Sequence, residues 1–314
     1  MTNRLLRISK KIISAISIFV FFLFFLSFFG KHNWILDVLS HFKLQYFCIL
    51  FALFVISFFV KNKILTFAVL TFTIIVGIEV FSIYFGGNKN DNIEKTVKIV
   101  CANVLTTNKN YLKANEYITE KNPDILVLLE TSQKWIDELK PFTDKYPYKK
   151  EIPADNNFGI AIYSKIELQN IETPVYNNQN LASITAFFEF SGEKIKIIAT
   201  HPKPPLHKFN YEERNNHLNN IALSEANRDY ELILIGDLNL TSYSVIFKSF
   251  CTETKLTDSR KGFGFNHSWH LIPFLTTTTL DHCLVSENIF VKKREVGYNI
   301  GSDHKPVYVE LGFE

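Results

Sequence analysis

Leu232, Ile233, Leu234, Ile235, Gly236, Asp237, Leu238 and Asn239 place four consecutive apolar residues directly before a glycine, an acid and an amide. A short apolar run closed by glycine predicts a buried strand. Asp237 and Asn239 are two apart, so in extended backbone both side chains point to the same side. One can then act as a base on water while the other donates a hydrogen bond to a phosphate oxygen. The competing reading is an Asx turn that caps the following helix. Gly236 permits close approach of another group or an unusual backbone angle.

Working outward, the same arrangement recurs. Val97–Ala102 predicts a strand that ends at Asn103, and Ile125–Leu129 one that ends at Glu130. Lys194–Thr200 ends at His201, which enters Pro202, Lys203, Pro204 and Pro205. Asp281 and His282 precede the strand Cys283–Val285, and Ser302, Asp303 and His304 precede Val307–Leu311. Further strands are predicted at Gly159–Tyr163 and Ile184–Phe190, with Ser191, Gly192 and Glu193 as a hairpin turn. Helices are predicted at Tyr111–Lys121, stopped by Asn122-Pro123, and from Gln133 to Leu139. Tyr211–Ala226 predicts a helix with Leu218, Ile221, Ala222 and Leu223 as its apolar stripe, and Val245–Phe250 starts another. Mixed strands and helices predict an α/β fold with sheets packed between helical layers.

Each polar position offers a definite chemistry. Glu130 supplies oxygen ligands suited to a hard cation such as Mg²⁺, and Asn103 offers a neutral oxygen to the same ion. The prolines after His201 stiffen its loop and hold the imidazole beside Lys203. An Asp that hydrogen-bonds an imidazole sets its tautomer and favours its protonated form. Such an imidazolium can stabilise a pentacovalent phosphorus transition state. The chain has no glycine-rich nucleotide loop, zinc-type His spacing or Gly-x-Ser-x-Gly elbow to compete with a phosphoester reading.

The N-terminal part has another character. Residues 12–29, 44–60 and 64–85 are apolar runs long enough to cross about 30 Å of hydrocarbon as helices. A cleaved signal peptide would account for the first run alone. This predicts a membrane domain at 1–85, a linker at 86–96 and a catalytic domain at 97–314. Arg4, Arg7, Lys10 and Lys11 precede the first run, and Lys61 and Lys63 turn between the second and third. Positive residues stay cytoplasmic, so the third run exits outward and the catalytic domain faces the periplasm or the extracellular side of a cytoplasmic membrane. Glu79 lies inside the third run, as a functional carboxylate or one that reaches the interface or another helix. Residues 96–314 hold 24 Lys/Arg against 27 Asp/Glu, a balance that argues against a strong nucleic-acid binder. Cys48, Cys101, Cys251 and Cys283 show no paired metal-ligand spacing.

In order, Asn103, Glu130, His201, Asp237 with Asn239, Asp281, and Ser302-Asp303-His304 resemble the endonuclease/exonuclease/phosphatase superfamily. Arg260, Gly262, Gly264 and Trp269 resemble its membrane-anchored bacterial members. Leu129, Ala102 and Lys305 depart from residues common there, and none of the three is a catalytic position. The resemblance implies a four-layer α/β sandwich of two mixed sheets and Mg²⁺-dependent in-line attack by water, with Mn²⁺ able to take the same place. It implies Glu130, Asn103 and Asp303 around the metal, Asp237 on the water and Asn239 on the phosphate. It further implies transition-state contacts from His304 and His201, with Asp281 orienting His304.

The leading expectation is a hydrolase at a lipid bilayer acting on a lipid or envelope phosphoester, with Trp269–Leu275 either an apolar lip or a buried strand and turn. The alternatives are an extracytoplasmic nuclease and an inactive binding or sensor module. Alkaline phosphatase fused after Glu314 should be active, since the predicted topology exports it. A cytoplasm-only reporter that works there instead would overturn the orientation.

Overall fold

The computed structural model describes residues 3–90, 92–270, 272 and 276–313. Two compact units are present: Met1–Ser82 with Thr241–Lys248, and Ile83–Leu240 with Ser249–Glu314.

The first unit is helical. It contains α1 (Asn3–Leu26), the short α2 (Trp34–Val38), α3 (Lys43–Phe59) and α4 (Lys63–Phe81). Three stretches, Arg4–Phe29, Trp34–Phe59 and Lys63–Tyr84, are long and apolar enough to cross a membrane. The first begins before its apolar run does, because the Lys and Arg ahead of that run are good helix formers and extend it. Ile64, Phe59 and Phe67 are more than 70% exposed, an apolar surface that suits a lipid solvent. Glu79 does face another helix. Its carboxylate accepts from the Lys43 ammonium at 3.0 Å and from Lys248 at 2.6 Å. Lys43 also donates to the Tyr243 carbonyl, Ser244 Oγ donates to Asp37 at 2.6 Å, and Tyr243 OH donates to the Val80 carbonyl at 2.9 Å. The segment Thr241–Lys248 is therefore held in this unit by charge and hydrogen bonds.

The second unit runs β1 (Thr96–Asn103), α5 (Tyr111–Lys121), β2 (Ile125–Leu129), α6 (Gln133–Thr143), β3 (Tyr148–Ile152), β4 (Ile160–Ser164) and β5 (Gln169–Glu172). It continues with β6 (Ile184–Phe190), β7 (Glu193–Thr200), α7 (Lys208–Ser224), β8 (Glu231–Asp237) and the part of α8 (Val245–Thr254) that follows Lys248. The chain then forms β9 (Thr257–Asp258), β10 (Trp269–His270), β11 (Thr277–Thr278), β12 (Asp281–Val285), β13 (Phe290–Val296) and β14 (Val307–Gly312). One six-stranded sheet has the order β13-β14-β1-β2-β4-β3, and the other β5-β6-β7-β8-β12-β9. Both are mixed: β1–β2 and β7–β8 are parallel, and their other pairs antiparallel. This is the expected α/β sandwich of two packed mixed sheets flanked by helices.

Strand alternation builds the layers. Val97, Ile99 and Cys101 pack with Ile195, Ile197, Ile233, Ile235, Cys283 and Val285 between the sheets. Val100 and Ala102, on the other face of β1, pack with Tyr117, Ile118, Trp135 and Leu139 from α5 and α6. Such a strand, buried on both faces, reads as a continuous apolar run.

Two sequence readings need correction. Leu223 does not belong to the α7 stripe, for it is 67% exposed, while Leu218, Ile221 and Ala222 are buried. It lies about 100° around the helix from Ala222, outside the arc that α7 buries. The β6–β7 turn has two residues rather than three. Ser191 (φ 55°) and Gly192 (φ 87°) both adopt positive φ, the two-residue geometry whose twist matches a hairpin.

Gly236 has φ 155° within β8, and a Cβ there would lie 1.8 Å from the Thr200 carbonyl oxygen of the neighbouring β7. Gly236→Ala should destabilise the protein by about 3 kcal/mol or more, because rigid backbone on two strands must shift. Thermal unfolding of the detergent-solubilised chain checks this, and an unchanged melting temperature would refute it.

Candidate active site

Four of the site residues are the next members of inward-facing strand series. Asn103 follows Cys101, His201 follows Ala199, Asp237 follows Ile235, and Asp281 precedes Cys283, each at a spacing of two. The side chains that would continue the core between the sheets are thus polar at the strand ends, where the apolar filling stops. Strand register does the rest. Thr200 pairs with Gly236, Asp237 pairs with Asp281, and Asn103 pairs with Leu129, the residue before Glu130. Glu130 breaks the strand with φ 60°, and Thr106 Oγ1 donates to its carbonyl at 3.0 Å.

Asp237 lies at the centre, 2% exposed. Its Oδ2 accepts from Asn103 Nδ2 at 3.3 Å and is 3.5 Å from Nε2 of both His201 and His304. Its Oδ1 accepts from the Asn239 backbone N–H at 2.9 Å. Asn239 is therefore not extended. It adopts φ 51°, the Asx turn is the conformation present, and its side-chain amide donates to the Pro202 carbonyl at 3.0 Å. The same-side reading of Asp237 and Asn239 fails because that turn satisfies the Asp237 carboxylate with local backbone. Buried Arg214 donates to the Asn239 carbonyl at 3.0 Å and braces the turn.

His304 Nδ1 is 2.8 Å from Asp281 Oδ2. Asp281 is held in turn by Ser268 Oγ, which accepts its N–H at 3.1 Å, and by Arg294, which donates to its carbonyl at 3.1 Å. His282 points elsewhere, with Nε2 at 2.8 Å from the Leu240 carbonyl. Asp303 takes a different partner from the other acids, accepting from the Trp269 indole at 3.1 Å. Of the stretch Trp269–Leu275, Trp269 and His270 form β10, Ile272 is half-exposed, and residues 271 and 273–275 lie outside the described ones.

Burial, the largest influence, disfavours charge on His304, but Asp281 and then Asp237 outweigh it and raise its pKa to about 10. Burial likewise opposes ionisation of Asp237, yet His304 and His201 hold its carboxyl well below the ordinary range. His201 is raised against burial by Asp237. Burial pushes the Glu130 carboxyl up, with His201 and Asn103 opposing. The His304 pair stabilises the fold fully below about pH 6.5, and that contribution is lost as pH rises through about 10.

The donors fit a hard cation on the Glu130 side. Glu130 Oε1 accepts from Asn103 Nδ2 at 2.8 Å, while its Oε2 is buried with no hydrogen-bond partner among the described residues. A buried orphan carboxylate oxygen demands a compensating charge or donor. Asp237, Asp281 and His304 also come within 4.8 Å of one another at ligand atoms. In this structure the His304 ring lies between the two carboxylates, and it would have to give up its proton before it could ligate.

Arg214, Ser268 and Arg294 escaped sequence reading. Arg214 could have been found, for it sits three and four residues from His217 and Leu218 and seven from Ile221 on the buried face of α7. Ser268 and Arg294 carry no local signal. Asp281→Asn should move the alkaline limb of the pH–rate profile down by roughly 1–3 pH units, since the principal group raising His304 is lost. An unshifted limb with intact fold would exclude His304 as the titrating group.

The model of the Endonuclease/Exonuclease/phosphatase family matches residues 100–304. Among solved structures the chain is similar to D. rerio TDP2 complexed with single strand DNA product (17% identity, TM-score 0.56, 70% of this chain and 100% of that one). It is also similar to the human Nocturnin catalytic domain with bound sulfate anion (18%, 0.58, 70% and 95%). An endonuclease/exonuclease/phosphatase family protein from Leptotrichia buccalis C-1013-b aligns equally well (17%, 0.57, 69% and 100%). At these identities the likeness concerns the fold. No curated protein matches the sequence. The family match over most of the sandwich, with its carboxylates and imidazoles gathered at one end of two packed sheets, makes this chain a member of the Endonuclease/Exonuclease/phosphatase family and a metal-dependent phosphoester hydrolase.

Proposed function

We propose that this chain is a membrane-anchored, Mg²⁺-dependent hydrolase of a lipid or envelope phosphoester, its catalytic unit outside the cytoplasm. The observation that carries the reading is the ionised, buried Asp237 between two imidazoles, in a chain whose described residues include three helices apolar enough to cross a membrane. Tethering raises the effective concentration of substrates that share the bilayer.

Glu130 would hold the cation, with Asn103 bracing its carboxylate through Nδ2 and Asp303 as a further acid. Bound there, it would offset charge on the phosphoryl oxygens. Mn²⁺ offers the same oxygen preference. Asp237, held well below the usual carboxylate range, is a weak base and a strong acceptor, so its part is to orient the attacking water. His304, protonated at neutral pH, and His201 place positive charge where the phosphoryl group gains negative charge. Asp281 sets the His304 ring and keeps it charged. Asn239, turned by its left-handed backbone, holds the loop against Pro202 and contacts the phosphate.

A second reading, nucleic-acid cleavage, draws on the single-strand DNA product held by one structural neighbour, D. rerio TDP2. The acidic balance of 96–314 weighs against it. The sensor-module alternative loses its ground with the family assignment.

Purified full-length chain should hydrolyse members of a panel of phospholipids, polyprenyl phosphates, inositol phosphates, DNA and RNA only with a divalent cation, and lipids best. Asp237→Ala should cost about 10²–10⁴-fold in kcat. Undiminished activity in that variant would sink the mechanism, and a salt-sensitive preference for DNA or RNA would replace the substrate class.

A further inference from the structure

One cation and three apolar side chains beside His201 play no part in the chemistry above. The Phe158 ring lies 5.6 Å from the His201 ring. Lys203 Nζ stands 5.9 Å from the Phe158 centroid and 6.0 Å from that of Phe209, and donates to Gln179 Oε1 at 3.3 Å. A chain of contacts therefore leads from the buried imidazole outward to Phe209. Phe209 is 49% exposed and Leu206 is 72% exposed. Leu206 precedes His207, the N-cap of α7. An apolar residue at that position commonly packs back on the helix as a staple, but Leu206 is left in solvent.

Pro202, Pro204 and Pro205 restrict the segment, so little conformational entropy remains to be lost when something binds it. Residues 202–209 carry Lys203 and Lys208 and no acid. A rigid, exposed, apolar surface with the Lys203 cation at its root matches an amphiphile with an anionic group. On the proposed anchoring, such molecules share the bilayer with the chain's apolar helices. The exposed aliphatic Leu206 and the mildly acidic balance of 96–314 favour an acyl chain over a polynucleotide, which calls for a basic groove along its backbone.

We propose that Phe158, Lys203, Leu206 and Phe209 form a lip that receives the glyceride and acyl part of a phospholipid substrate while its phosphate lies against His201 and His304. This rests on the lipid reading above and names the surface that makes the choice. Lys203 meets the phosphate from outside, and Leu206 and Phe209 cover the first carbons of the acyl chains.

The test uses the full chain in detergent micelles, with dioleoyl- and dihexanoyl-phosphatidylglycerol as paired substrates and bis(p-nitrophenyl) phosphate as a chain-free one. Wild type should favour the dioleoyl lipid in kcat/KM. Leu206→Ser with Phe209→Ser should cut the dioleoyl-to-dihexanoyl ratio about tenfold by raising KM, and Leu206→Met with Phe209→Leu should restore it. Leu223→Ser, exposed on the same helix outside the lip, controls for general surface effects and should keep the ratio. An unchanged ratio in the serine variant, with its melting temperature retained, overturns the lip. So does cleavage of bis(p-nitrophenyl) phosphate and oligonucleotides without either lipid. Failure to hydrolyse any of these substrates with Mg²⁺ or Mn²⁺ overturns the parent reading instead.

Discussion

The site depends on keeping one carboxylate charged where the fold has removed water. Asp237 occupies a position that alternation assigns to the core, two residues beyond Ile235. An unpaired charge there would neutralise itself or unfold the strand end. Two imidazoles, an amide side chain and one backbone N–H compensate it. Each of these must arrive from a different element, so β1, β7, β8, the Asn239 turn and the loop before β14 are all positioned by this requirement. Asp281 extends the alternation of charges by one step and keeps His304 cationic.

Support for this arrangement comes from a second layer of buried cations. Arg214 holds the turn at Asn239 and Arg294 holds the backbone of Asp281. Buried charged donors of this kind are costly in isolation. Here they brace backbone carbonyls at the points where Asp237 and Asp281 leave regular strand geometry, which favours a rigid site over a more stable but less defined one. The helical unit follows the same logic. Glu79 in α4 is tolerable among apolar residues because Lys43 and Lys248 neutralise it, and Lys248 belongs to the segment that begins only two residues after Asn239.

Much of the sandwich was legible because both faces of its central strands are buried, so Ile125–Leu129 and Leu232–Ile235 appear as unbroken apolar runs. Tyr111–Lys121 emerged with its ends intact, since Asn122 takes the left-handed cap conformation and Pro123 follows. Glu130, His201, Asp237 and Asp281 were visible as polar residues where such runs stop. The conformation of Asn239 was not, because an Asx turn and an extended strand end share the same local sequence. Leu223 misled for a related reason: four apolar residues in six positions of a helix exceed the arc that its packing surface can cover.

Residue order alone determined the strand parity, the apolar spans and the set of acids and imidazoles, since these depend on neighbours one to four positions away. Which of them meet was decided by tertiary structure. Thr200 lies beside Gly236, and His304 beside Asp281, only because sheet register and loop closure bring together segments tens of residues apart. The pairing of Glu79 with Lys248 and the exposure of Leu206 and Phe209 are of the same kind. They record which charges found partners and which apolar groups did not, and that is a property of packing.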